Sequence, residues 1–413
     1  MWSGRTIAAL ATLLGACAPL ATQQQTLERN VTEVLERRGL GSDALRVIDN
    51  LVRNGPPAPR ATPPLVLELL ARPPAAADVE SLFQRLVPAV FAPPRISAGP
   101  KTFDELVRAY LTELAEAQRL LRAAVLPFDD SRLLEELASG LPSSARLLEI
   151  ELDPAKLERA NQLFLEATAR FAQGFAAGDV PAEGRRIETE LVTIVVGTRG
   201  NDVHRLAPAR GGRVSVIIDP GGDDQYLGSD LALNGFSAIV DFSGNDRYVM
   251  EGPGLGAAIA GAALLVDLAG NDSYQAKFFA QGAAAFGIGA LIDFGGDDRY
   301  RVEAFGQGLG LGGGLGLLWD GGGDDHYAAG AVPDPYNRAG GLSFAQGVAL
   351  GYRGRLGGGI GILRDDGGDD TYEAQMFAQG VGYYYAFGVL WDRGGRDTYR
   401  AVQYAQGLSL IHI

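Results

Sequence analysis

The chain has 413 residues, room for two domains or for one domain and a repeat array. Its formal charge of −14 and pI near 4.8 exclude the basic face that a nucleic-acid partner requires. Three histidines argue against a multi-histidine metal centre. Glycine, at 57 residues, is about twice its usual share and concentrates beyond residue 190, so one half of the chain has a special backbone requirement.

At the N-terminus, Arg5 precedes the apolar run Ile7 to Leu14, which is too short to span a bilayer. The run ends in Leu14-Gly15-Ala16-Cys17, the only cysteine. This segment resembles a bacterial lipobox. The resemblance implies a signal peptide over 1–16, lipidation of Cys17, and a polar tether over 17–25. The expected location is then the outer membrane, on its periplasmic or surface face, held by lipid alone. At the other end, Leu408 to Ile413 can be encoded by a transposon-end string used in sequencing libraries, and 408–413 are expected to be adapter read-through.

Residues 26–190 read as an α-helical domain. Leu27, Val31, Val34, Leu35 and Leu40 keep a 3.6-residue period, as do Leu106, Tyr110, Leu111, Leu114 and Leu120–Leu121. Asp153-Pro154 predicts a helix start, with Asp as N-cap and Pro at the first position, running through Phe175. Pro-rich breaks at 56–64, 73–74 and 93–94 separate the helices.

From about residue 191 to 407 the pattern D-x-x-G-[GND]-D-x-Y recurs. Its first Asp stands at Asp219, Asp241, Asp267, Asp293, Asp320, Asp365 and Asp392. The second stands at Asp224, Asp246, Asp272, Asp298, Asp325, Asp370 and Asp397, each followed two residues on by Tyr. A degenerate leading copy runs from Gly197 to His204, where His204 takes the tyrosine place in a packing role. Spacings of 22, 26, 26, 27, 45 and 27 residues define a repeat with one insertion. Seven residues after the later tyrosines stand Gln281, Gln307, Gln379 and Gln406, with Gln346 nineteen after Tyr327 across the insertion, each followed by Gly, and between columns Gly alternates with apolar residues as in a strand. The predicted architecture is therefore α+β: a helical domain, then a β-solenoid (β-helix) of 22–27-residue coils, at least eight of them. Tyrosines would stack, and glutamines would form a mutually satisfied amide ladder.

Stacked aspartates repel, by roughly 1 kcal/mol per pair in water at ~4.8 Å and by ~3–4 kcal/mol at an effective dielectric of 20. Two remedies suggest themselves. One is structural, with Asp and Gly as corner residues and Arg247, Arg299, Arg364 and Arg393 as neutralising neighbours. The other is calcium, a hard cation that takes carboxylate and carbonyl oxygens. Ser243-Gly244-Asn245-Asp246-Arg247-Tyr248, Ala269-Gly270-Asn271-Asp272-Ser273-Tyr274 and Gly295-Gly296-Asp297-Asp298-Arg299-Tyr300 resemble the half-turns of haemolysin-type calcium-binding repeats. The resemblance implies Ca2+ between successive turns, with Asp246, Asp272 and Asp298 as ligands. That family repeats every nine residues, whereas this chain offers the motif once per coil, and Arg396 replaces Asn/Asp in its last copy.

The candidate metal ligands are thus Asp219, Asp224, Asp241, Asp246, Asp267, Asp272, Asp293, Asp298, Asp320, Asp325, Asp365 and Asp370. The insertion within 328–357 supplies a second candidate site, with Asp334, Tyr336, Arg338, Arg353 and Arg355, and His326 beside it. No catalytic constellation stands out. The function expected is a non-enzymatic binding or structural role, with a protein or polysaccharide partner. Two alternatives stay open: a carbohydrate-active β-helix enzyme with its site at the insertion, and an outer-membrane β-barrel built from the Leu/Gly alternation and the Trp319/Tyr327 pair.

Overall fold

The computed structural model describes residues 102–140, 142–176, 181, 183–333 and 340–410. The lipobox, the tether and the helical pattern before residue 101 lie outside the described residues, as do Asp334, Tyr336 and Arg338.

Among the described residues four helices come first: α1 (Phe103–Ala124), α2 (Asp130–Ser139), α3 (Ser144–Glu149) and α4 (Pro154–Ala176). Thr102 and Glu105 close a capping box on α1, satisfying orphan N–H groups reciprocally. Asp153 Oδ1 accepts the Lys156 N–H 3.2 Å away, so α4 starts at the Asp-Pro pair as the sequence predicts. The two long helices pair through Tyr110 stacked on Phe171 at 4.5 Å, the buried hydroxyl bonded to Thr168 Oγ1 at 2.8 Å.

The β-solenoid follows. One sheet stacks a five- or six-residue strand per coil, from Val192–Val196 and Val214–Asp219 through Phe236–Asp241, Ala262–Asp267, Ile288–Asp293, Leu315–Asp320 and Ile360–Asp365 to Phe387–Asp392. All of these pair in parallel. Strand Arg185–Glu188 adds antiparallel to the starting edge, a few residues before the expected change of period. A second sheet carries the tyrosines, from Val203–Arg205 to Thr398–Arg400, and a third is made of two-residue strands from Ala209–Arg210 to Ser409–Leu410. Leu408 to Leu410 occupy the coil position of Leu309 to Leu311, with Ser409 in register with Gly382.

Parallel stacking puts like on like: the turn aspartates pair Asp219↔Asp241↔Asp267↔Asp293↔Asp320↔Asp365↔Asp392. Along each long strand, alternate side chains face opposite ways. Ile239, Leu265, Leu291, Leu318 and Leu363 face inward against the tyrosines. Ala238, Leu264, Ala290, Leu317 and Ile362 face outward and merge with helical residues into one apolar core. Phe164 of α4 stacks on Phe236 at 4.6 Å, so the helices cover the outer face of the early coils.

The glycines of the Leu/Gly alternation lie on the inward face, where the short-strand sheet approaches closely. A Cβ on Gly316 would sit 2.1 Å from the Leu309 carbonyl oxygen, and one on Gly289 2.3 Å from that of Ala283. This alternation belongs to a narrow solenoid. The β-barrel alternative has no support, because bacterial barrels pair their strands antiparallel and close the sheet, whereas these strands pair in parallel along open stacks.

Candidate cation cages between the coils

The corner D-x-x-G-[GND]-D is a set of three side-chain columns, each with a defined backbone duty. In the first, Asp Oδ1 accepts the N–H two residues on, as from Ser243 to Asp241 at 3.0 Å and from Gly295 to Asp293 at 2.9 Å. Its Oδ2 accepts a hydroxyl from the tyrosine of the preceding coil: Tyr248 to Asp267 and Tyr274 to Asp293, both at 2.7 Å. Both oxygens of this column are therefore engaged. Those tyrosines stack at 4.5–4.9 Å between ring centroids from Tyr226 to Tyr399. Burial, with the facing aspartates next, holds their hydroxyls far above the ordinary tyrosine value, so they stay protonated donors.

The outer column is the residue before the second Asp. Each of its side chains accepts an N–H from the next coil, as Asn245 Oδ1 does from Asn271 and Asn271 Oδ1 from Asp297, both at 3.0 Å. In the last copy Arg396 stands in this column and pairs with Asp369 at 2.6 Å. A glycine precedes this column because a Cβ on Gly270 would lie 1.7 Å from the Gly244 oxygen.

The inner column is the second Asp. Its Oδ1 accepts an N–H from the preceding coil: Asp246 N–H to Asp272 at 2.5 Å, Asp272 N–H to Asp298 at 2.6 Å. In Asp224, Asp246, Asp272, Asp298, Asp325 and Asp370 the Oδ2 atom is buried without a hydrogen-bond partner, and each of these residues is at most 2% exposed. A buried, unpaired polar oxygen is costly and calls for a proton or a cation.

Four of these inner aspartates each stand in a cage with two turn aspartates. Asp219–Asp224–Asp241, Asp241–Asp246–Asp267, Asp267–Asp272–Asp293 and Asp293–Asp298–Asp320 each bring one oxygen per residue within 4.8 Å of the others. Consecutive cages share a turn aspartate. Burial first, then neighbouring aspartates, push the carboxyl of Asp241 up to about 9, of Asp272 to about 10 and of Asp298 to about 9, toward the protonated form. Asp320 and Asp325 are raised for the same reasons, Asp325 to about 10. Asp365 rises to about 6 and Asp370 to about 8, burial leading in both.

Two expectations are corrected. The glutamines form no mutual amide ladder. Gln307 Nε2 donates instead to the Tyr300 carbonyl of its own coil at 3.2 Å and to the Ala328 carbonyl of the next at 3.5 Å, leaving Oε1 unpaired. The residue has a φ of 53°, and its amide bridges backbone carbonyls of two coils rather than meeting the next glutamine. Nor do Arg364 and Arg393 neutralise the inner columns. They lie on the outer side, where both bond Asp366, at 2.8 and 3.0 Å, and Arg364 sits 4.9 Å from each of the Trp319 and Trp391 rings.

At the insertion, Val332–Pro333 pairs antiparallel with Gly341–Ala345 as a hairpin off the tyrosine sheet. Arg353 and Arg355 are exposed in a neighbouring tight loop, with Arg353 5.7 Å from the Tyr383 ring centroid. His326, for which the sequence offered no partner, lies 3.5 Å from Glu373. One further column escaped sequence reading. Phe305, Phe344, Phe377 and Tyr404, each two residues before a column glutamine, stack at 4.9–5.6 Å with positive φ. The recurrent F-[AG]-Q-G string could have revealed it.

Fold and site together define an acidic β-solenoid with carboxylate cages between its coils. Compared with known proteins, the chain matches no family model, no curated protein sequence and no solved structure.

Proposed function

We propose that this chain is a non-enzymatic exported scaffold, lipid-anchored through Cys17, whose solenoid is locked by calcium ions between its coils. The unpartnered Oδ2 of six inner aspartates, Asp224, Asp246, Asp272, Asp298, Asp325 and Asp370, carries the reading. Calcium–oxygen bonds of roughly 2.3–2.6 Å let one ion reach three oxygens lying within 4.8 Å of one another. Each regular coil adds two interior carboxylates, and one divalent cation per coil balances them. Magnesium, which keeps its waters and demands bonds near 2.0–2.1 Å, suits such a dry cage poorly. A scaffold of this kind would stiffen outside the cell, where calcium is plentiful, and present its outer faces and the insertion hairpin to a protein or polysaccharide.

Calcium titration of the chain beyond Cys17, followed by calorimetry and by thermal melting with and without chelator, tests the reading. Saturable calcium uptake by several sites, with a melting temperature that falls in chelator, is the expected result. Asp272→Asn with Asp298→Asn should lower the calcium stoichiometry while preserving the Oδ1 bonds. Uptake of no calcium, or a melt indifferent to chelator at neutral pH, would remove the ion and leave protons as the occupants.

A further inference from the structure

The first coil among the described residues breaks the turn-aspartate and tyrosine columns at once. Gly197, just past strand Val192–Val196, stands where every later coil carries a turn aspartate, immediately after Val196, which pairs with Ile218. His204 stands where every later coil carries a tyrosine, in register with Tyr226. The imidazole stacks on the Tyr226 ring at 4.8 Å, and its Nε2 lies 2.6 Å from Asp219 Oδ2. Asp219 Oδ1 is taken by the Gly221 N–H at 3.0 Å, and Asp202 Oδ2 by the Thr198 N–H at 2.6 Å.

Two features separate this place from the cages above it. The first is donor chemistry: Asp202, His204 and Asp219 bring two carboxylate oxygens and one ring nitrogen within 4.8 Å of one another. The second is access. A cavity of about 270 Å³ opens here, lined by Gly184, Arg185, Val196, Thr198, Asp202 and His204. Glycine is required beside it, since a Cβ on Gly197 would lie 2.0 Å from Asp219 Oδ2. His204 is only 6% exposed, and no hydrogen bond from the described residues reaches its Nδ1. The inner aspartate of the next coil, Asp224, whose Oδ2 has no hydrogen-bond partner, belongs to the cage that shares Asp219.

An imidazole nitrogen is a poor ligand for calcium and a good one for zinc, cobalt, nickel or copper. Three protein donors with a solvent-facing fourth position is the pattern of an open zinc site, whereas a sealed oxygen cage is not. We propose that the N-terminal mouth of the solenoid binds one zinc-class divalent ion through His204, Asp202 and Asp219, with a coordination position open to the cleft. The site is distinct in metal preference from the calcium cages and stands whether or not those cages take calcium.

The probe is Co2+, a spectroscopic stand-in for zinc, added to the chain beyond Cys17 in excess Ca2+ and Mg2+. One equivalent should bind, give visible ligand-field absorption, and be displaced by Zn2+. His204→Tyr restores the residue that each later coil carries, so circular dichroism and melting in calcium should be unchanged while the cobalt spectrum is lost. Asp202→Asn should weaken Co2+ by about tenfold or more. Paramagnetic shift of the His204 ring resonances on adding Co2+ gives a readout that needs no variant. Unaltered Co2+ affinity and spectrum in His204→Tyr, or unshifted His204 resonances, would overturn the assignment and leave His204 as a cap on the tyrosine stack.

Discussion

Chelation followed across pH separates protons from calcium in the interior. In chelator, Asp241, Asp267, Asp272, Asp298, Asp325 and Asp370 carry carboxyls raised to about 8–10, burial being the leading cause in each. The unfolded chain releases those protons above roughly pH 4. Between roughly pH 4 and these raised values the folded state binds more protons than the unfolded state. The chelated protein is therefore most stable below about pH 4 as far as these groups decide, and loses stability as pH rises. Each net proton retained is worth about 1.4 kcal/mol per pH unit, or about 3 kcal/mol between pH 5 and 7. For an array of this size that is a fall of roughly 6–12 °C in melting temperature from a single proton. With calcium the sign reverses, because the ion must displace those protons and binds more tightly as they leave. The assay is thermal melting by circular dichroism at pH 5, 6 and 7, with chelator and with millimolar calcium. Curves that diverge with pH, falling in chelator and rising in calcium, are expected. A chelated melting temperature that is flat or rises from pH 5 to 7 would refute the protonated interior, and with it the argument that the orphan oxygens need a counter-ion.

Other perturbations test single columns. Tyr274→Phe removes the hydroxyl that Asp293 Oδ2 accepts at 2.7 Å; a loss of about 1–3 kcal/mol in chemical denaturation is expected, with the ring stack retained. Gly316→Ala drives a methyl to within 2.1 Å of the Leu309 oxygen and should cost about 1–3 kcal/mol or more in the same assay, whereas alanine at the open Gly354 turn should cost less despite its positive φ. Gln307→Ala cuts the two carbonyl bonds that tie neighbouring coils, and faster amide exchange at Ala328 and the adjoining coil is the expected signature.

Much of this architecture is written in the residues themselves. A parallel solenoid places identical positions above one another, so a repeat of Asp, Asp and Tyr at fixed offsets commits the chain to stacked corners and a stacked aromatic column. The Asp153-Pro154 pair likewise sets the start of α4 through local bonds alone. What the sequence left open was settled by relations between coils and between domains. Only the stack shows that Tyr274 serves the aspartate of the following coil, that Asn271 and Asp272 pass their bonds in opposite directions, and that one oxygen in each of six inner aspartates is left over. The glutamine column was visible, but its partners were not, because the amide meets backbone carbonyls of two coils rather than the next glutamine. His204 reads as a worn tyrosine in one dimension; in three, the missing aspartate at Gly197 and the open cleft beside it give the imidazole a different environment. Periodicity is a property of neighbours along the chain, whereas a cage, a cleft and a covered sheet face also need residues far apart in it, such as His204 and Asp219, 15 positions apart, or Gln118 and Gly212, 94 apart, and only the tertiary structure brings these together.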